Sequence, residues 1–94
     1  MVKMIIGKNR RTGQRLYKKA KNVILGGNML LSKRPEMFLP DLWPSYFSKS
    51  KNIDVWDLDK NRYIDFIFAV GQSTLGYSNS IIDKKVSKSI KKGN

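Results

Sequence analysis

Val55-Trp56-Asp57-Leu58-Asp59-Lys60-Asn61-Arg62-Tyr63-Ile64-Asp65 is the stretch whose reading decides the fold. Asp59-Lys60-Asn61 is a turn signal, because Asp and Asn side chains bond the local backbone and tolerate positive φ. On either side, β-branched and aromatic residues predict two short strands. In the first, Val55 and Asp57 alternate with Trp56 and Leu58; in the returning strand, Tyr63 and Asp65 alternate with Ile64. One face is therefore apolar and the other mixed. Upstream, Tyr46-Phe47 and Ile53 to Trp56 read as strands joined by a polar connection, Ser48 to Asn52. The result is a three-stranded antiparallel meander.

Working outward, Leu16, Tyr17, Ala20, Val23 and Ile24 recur at helical spacing from Gln14 onward, with lysines and Arg15 elsewhere, which predicts an amphipathic helix. Gly26-Gly27 supplies its stop. Asn28 to Pro44 is apolar yet carries Pro35, Pro40 and Pro44, so it cannot be a regular helix. A loop of that composition requires a packing partner. Phe66 to Val70 is an unbroken apolar run, suited to a segment covered on both sides. Ser80, with Asp83 three positions on, reads as the capped start of a second helix whose apolar stripe is Ile82, Val86 and Ile90. Gly93-Asn94 closes it. The expected fold class is α+β: N-terminal helix, three-stranded meander, C-terminal helix. Residues 1–13 are expected to be a basic flexible arm, and 14–94 to form the folded part.

Composition narrows the chemistry. Ninety-four residues make at most one domain, burying roughly 60 to 70% of the surface the unfolded chain exposes. The chain has no cysteine and no histidine, so disulfides, thiolate metal sites and histidine-based hydrolase triads are excluded. Asp54, Asp57, Asp59 and Asp65 do not follow the calcium-loop pattern and are read as turn and strand-end residues. Gly71 to Gly76 matches neither phosphate-binding glycine fingerprint. Neither a secretory signal nor a membrane-length apolar run is visible, which gives a cytoplasmic expectation.

The net charge of +12 is uneven. Residues 1–21 hold eight basic residues and no acid, and 84–92 hold five lysines and no acid; between them six basic groups face seven acidic ones. Lysines outnumber arginines 14 to 5, which argues against base-specific nucleic-acid reading, where the arginine fork is favoured.

Taken together, Leu16-Tyr17-Lys18-Lys19-Ala20-Lys21, Ile24-Leu25-Gly26-Gly27-Asn28, the Val55 to Asp65 run, and Leu75-Gly76-Tyr77 before a helix resemble the N-terminus of class III pyridoxal-phosphate aminotransferases. Within that family the resemblance is to the branch around glutamate-1-semialdehyde 2,1-aminomutase. It implies part of the small domain of a fold-type I enzyme that transfers an amino group, with pyridoxal 5′-phosphate as cofactor in the full-length family. It further implies a homodimer and an amino-acid or amino-sugar-type substrate. Carried over by position, the substrate-facing residues are Asn28, Ser32, Val70 and Gly71. The aminomutase has a serine after the asparagine and an arginine shortly after, where this chain has Met29 and then Ser32 or Lys33. An aromatic residue expected before Gly71 is Val70, and the proline expected at the last helix is Ser80. No catalytic, cofactor-binding or metal-binding residue is assigned: the Schiff-base lysine region belongs to a large domain not contained in these residues. The fragment alone is expected to be inactive, and its partners are that large domain and a second subunit. The alternative is a freestanding basic α+β module that binds nucleic acid or another polyanion. Its signature would be an affinity that falls steeply with salt.

Overall fold

In the computed structural model, residues 2–5 and 10–93 are described, the first group by backbone only. The elements are β1 (Val2–Ile5), α1 (Thr12–Ala20), β2 (Phe47–Lys51), β3 (Asp54–Asp57), β4 (Arg62–Ile64) and α2 (Ser80–Ile90). One antiparallel sheet has the order β1-β4-β3-β2. The expected meander is β2-β3-β4, with Val55 opposite Tyr63 and Ser50 opposite Val55. β1 adds a fourth strand within the segment read as an arm, pairing with the β4 edge that would otherwise present open N–H and C=O groups. Residues 6–9 of that arm, and Asn94 of the expected helix stop, lie outside the described residues.

Two strand boundaries differ from the sequence reading. Ser48 to Lys51, read as a connection, belongs to β2, and the turn is shortened to Asn52 and Ile53. A polar strand is suited to the sheet's outer edge, where Lys49 lies 4.3 Å over the Trp56 ring. Phe66 to Val70 is neither extended nor covered: the chain turns there through Phe68–Gly71, with Phe66 68% and Val70 74% exposed.

The buried face of the meander is the mixed one, carrying Val55, Asp57 and Asp65. Asp57 makes burial of a carboxylate tolerable by accepting from four donors: the Asp59 and Asn61 amides at 2.9 and 2.8 Å, Asn61 Nδ2 at 2.8 Å and the Tyr63 hydroxyl at 3.2 Å. Burial, together with Asp57, pushes the Tyr63 hydroxyl up to about 12. Lys60 takes the left-handed turn position at φ 69°.

That turn also holds α1. Arg11, at the helix N-cap, supplies no side-chain cap; instead Asp59 accepts from the Thr12 amide at 3.0 Å and from the Thr12 hydroxyl. A carboxylate there suits both the unpaired amides and the positive end of the helix dipole. Burial pushes the Asp59 carboxyl up, but the two Thr12 bonds and the nearby Arg15 charge outweigh it, leaving it below the ordinary range. α2 is capped by Asn79 rather than Ser80: its Oδ1 accepts from Ile81 and Ile82 amides at 3.1 and 3.2 Å.

Among the described residues only Tyr17 and Val55 are buried hydrophobic side chains. The Cα radius of gyration is 15.1 Å, against about 12 Å for a self-contained domain of this length. The accessible surface is 7292 Å², against about 5,500 Å² for a compact monomer of this mass. α2 buries no residue at all, leaving Ile82, Val86 and Ile90 uncovered. Among the described residues these apolar surfaces have no partner of the kind the proline-rich loop already required.

Candidate functional site

The chain from Gly26 to Asn28 is clamped against α1 and the proline-rich loop. Tyr17, on the apolar stripe of α1, is buried, and its hydroxyl lies 3.0 Å from both the Gly26 carbonyl and Glu36 Oε2. The one hydroxyl proton is shared between these acceptors, of which the charged carboxylate is the stronger. Lys21, at the C-cap of α1, pairs with the other Glu36 oxygen and sits 4.8 Å over the Tyr17 ring. Arg34 Nε donates to the Asn28 carbonyl at 3.2 Å, and Asn28 Oδ1 accepts from the Leu30 amide at 2.8 Å. Gly26 and Gly27 take φ 70° and 73°; a Cβ on Gly27 would lie 2.6 Å from the Tyr17 ring. Glycine is required there twice over, for conformation and for space.

Electrostatics follow from that packing. The Lys21 hydrogen bond, reinforced by the backbone and Tyr17, lowers the Glu36 carboxyl from 4.5 to about 2. Burial first, then Glu36, raises the Tyr17 hydroxyl. Because the Glu36 value is depressed in the folded state, its contribution is fully present above pH about 4.5 and is lost as pH falls toward 2. The Gly26 and Gly27 amide resonances are therefore expected to move through that window in the wild type and to stay fixed in Glu36→Gln; equal movement in both would contradict the clamp.

The second loop runs from Asp65 to Tyr77. Asp65 is buried; its Oδ1 accepts from the Ile67 amide at 2.7 Å and the Phe68 amide at 3.4 Å, and its Oδ2 accepts from the Tyr77 hydroxyl. Burial, then Asp65, pushes that hydroxyl up to about 12. Tyr77 also exchanges backbone bonds with Asn52 at 2.8 and 2.9 Å. This bridge holds Gly76 against the Asn52 backbone, where a Cβ would meet atoms at 3.1 Å.

The structure places Asn28 half-buried inside the first clamp, Ser32 exposed in the turn Leu31–Lys33, and Val70 and Gly71 exposed on the second loop. Among the described residues no hydrogen bond, ion pair or ring contact joins the two loops. A cavity of about 330 Å³ lies between α1, the proline-rich loop and the β3-β4 turn; Arg11, Trp43 and Tyr63 line it, and none of the four expected substrate-facing residues does. Sequence reasoning did not find Tyr17, Arg34 and Glu36 as the clamp. Glu36 carried a signal, as the one acid between residues 1 and 40. No group of three or more His, Cys, Asp or Glu suited to a metal occurs among the described residues.

No family model and no solved structure matches the chain. Curated relatives do. The chain is 38% identical over 76 residues to 3-aminobutyryl-CoA aminotransferase of Cloacimonas acidaminovorans, covering 81% of this chain and 18% of that protein. It is 37% identical over 79 residues to glutamate-1-semialdehyde 2,1-aminomutase of Wigglesworthia glossinidia brevipalpis, covering 84% of this chain and 18% of the relative. The aminomutase of Archaeoglobus fulgidus is 30% identical over 80 residues, 85% of this chain and 18% of the relative. The chain therefore corresponds to the N-terminal region of class III aminotransferases and glutamate-1-semialdehyde aminomutases, and spans about 18% of the length of those relatives.

Proposed function

We propose that this chain is the N-terminal part of the small domain of a pyridoxal-phosphate-dependent enzyme that moves an amino group on an amino-acid or amino-sugar-type substrate. The observation that carries the reading is the match over more than four fifths of the chain to less than a fifth of each of these relatives, in a fold that leaves large apolar side chains such as Phe66 and Val70 exposed. In this reading, the large cofactor domain and a second subunit of a cytoplasmic homodimer cover Phe38, Leu39, the 66–70 segment and the α2 stripe. No helix among the described residues is long and apolar enough to cross a membrane.

The cofactor itself does not fit these residues. Such a site needs a lysine amine held in an enclosed pocket and a carboxylate for the pyridine nitrogen. Lysines among the described side chains are exposed, apart from half-buried Lys33, and the buried carboxylates Asp57 and Asp65 are fully engaged in holding turns. The contribution of this chain is positional. Asn28 offers its amide NH₂ from the clamped first loop and Ser32 a hydroxyl from the exposed turn after it, and Val70 and Gly71 present an apolar wall and open backbone from the second. With Gly26 and Gly27 fixed by Tyr17, Arg34 and Glu36, the first loop is ordered before substrate arrives, which reduces the entropy lost on binding.

The nucleotide sequence following the codon for Asn94 tests the proposal. Continuation, in any frame, into the rest of an aminotransferase with a strand-ending cofactor lysine is the expected result. Unrelated sequence in every frame would contradict it.

A further inference from the structure

We infer that residues 66–76 form a latched loop with two backbone states, a closed one held by Asp65 and Tyr77 and an open one in which Phe68 to Val70 leave the left-handed region. Both ends of the loop meet on one buried carboxylate: Asp65 holds the Ile67 and Phe68 amides at its entrance and the Tyr77 hydroxyl at its exit. Such closed surface loops, roughly 6 to 16 residues long and packed by their own side chains, form a recognised class. Here the internal packing is the Phe68-Tyr77 ring stack at 6.3 Å and the Ser73-Phe68 and Gly76-Ser73 backbone bonds at 3.1 and 2.8 Å.

Against that latch works the backbone. Phe68, Ala69 and Val70 have φ of 48°, 49° and 60°, and Gly71 follows at 93°. Three consecutive non-glycine residues in this region are costly, and a β-branched one most of all. What favours opening is relief of that strain; what opposes it is loss of the Tyr77 bond and the ring stack. Opening uncovers little new apolar surface, because Val70 is already 74% exposed. Strain and latch thus oppose each other with little hydrophobic bias toward either state, and the switch moves Val70 and Gly71. The inference stands on the loop's own geometry and survives if the enzyme reading fails.

Millisecond-pulse hydrogen exchange on the 94-residue chain in the cold, resolved by peptide, tests it. The double variant Ala69→Gly/Val70→Gly relieves the strain without touching the latch. It is expected to slow exchange of the 66–77 peptide about tenfold, net of the extra freedom glycine gives the open loop, and to leave β2 to β4 unchanged. Tyr77→Phe removes the hydroxyl alone and is expected to speed exchange of the same peptide about fivefold. Unchanged or faster exchange in the glycine variant would overturn the inference. So would an equal change across all peptides, or absence of protection anywhere in the chain, since a latch requires a closed state.

Discussion

Asp57→Ala is expected to abolish the β3-β4 turn and release α1 with it. Alanine leaves the Asp59 and Asn61 amides, Asn61 Nδ2 and the Tyr63 hydroxyl without their common acceptor inside the protein. Each hydrogen bond to a charged acceptor is worth about 1.5 to 3 kcal/mol, and such bonds do not add when they share one acceptor, so the loss is about 3 kcal/mol or more. The effect is transmitted because Asp59, positioned by that turn, caps Thr12 on α1. Amide protection is expected to disappear at Asp59, Asn61 and the first turn of α1 together. Asp57→Asn should do less harm. Its carbonyl oxygen can still accept from the two backbone amides, while its NH₂ meets the donors of Asn61 and Tyr63. Loss of protection in the turn alone, with α1 intact, would contradict the link.

Gly27→Ala should be the more damaging of the two glycine-pair substitutions. Both positions have positive φ, so both carry about 1 kcal/mol of left-handed cost. They differ in what the new methyl meets. At Gly26 it lies 2.3 Å from the Arg34 guanidinium, the far end of a flexible side chain, which can swing away and give up only its bond to Asn28. At Gly27 it lies 2.6 Å from the Tyr17 ring and 2.9 Å from Lys21 Cγ. Tyr17 is one of two buried hydrophobic side chains among the described residues, and its hydroxyl serves Gly26 and Glu36, so moving it undoes the clamp. Overpacking adds about 1 to 3 kcal/mol there. Soluble yield and amide protection across α1 and residues 25–28 should fall in the order wild type, Gly26→Ala, Gly27→Ala. Equal effects would mean that the Tyr17 packing does not hold the loop.

What was legible in the sequence was local. The Asp59-Lys60-Asn61 turn, the two strands beside it and the helical spacing of Leu16, Tyr17 and Ala20 are set by residues within a few positions of one another. What was hidden depended on distant partners. The start of α1 at Thr12 is fixed by Asp59, and nothing in residues 10–14 announces a cap that lies 47 positions away. β2 is polar because it is an edge strand held by backbone pairing, so its residues read as a connection. Phe66 to Val70 has the composition of a covered strand, but Asp65 captures the Ile67 and Phe68 amides and turns the chain. The substrate-facing positions Asn28, Ser32, Val70 and Gly71 came from resemblance alone. The clamp around the first of them needed coordinates, because Tyr17, Arg34 and Glu36 meet only in three dimensions.

In the proposed reading this fold is one part of a larger one, whose remainder covers Phe38, Leu39, Trp43 and the 66–70 segment. Thermal unfolding of the dilute monomeric 94-residue chain, followed by circular dichroism and calorimetry, addresses it directly. With two buried hydrophobic side chains among the described residues and an accessible surface of 7292 Å², the chain is expected to lose structure gradually, without a sharp heat-absorption peak, and to aggregate as concentration rises. A sharp, reversible, concentration-independent transition with matching calorimetric and van't Hoff enthalpies would contradict the account.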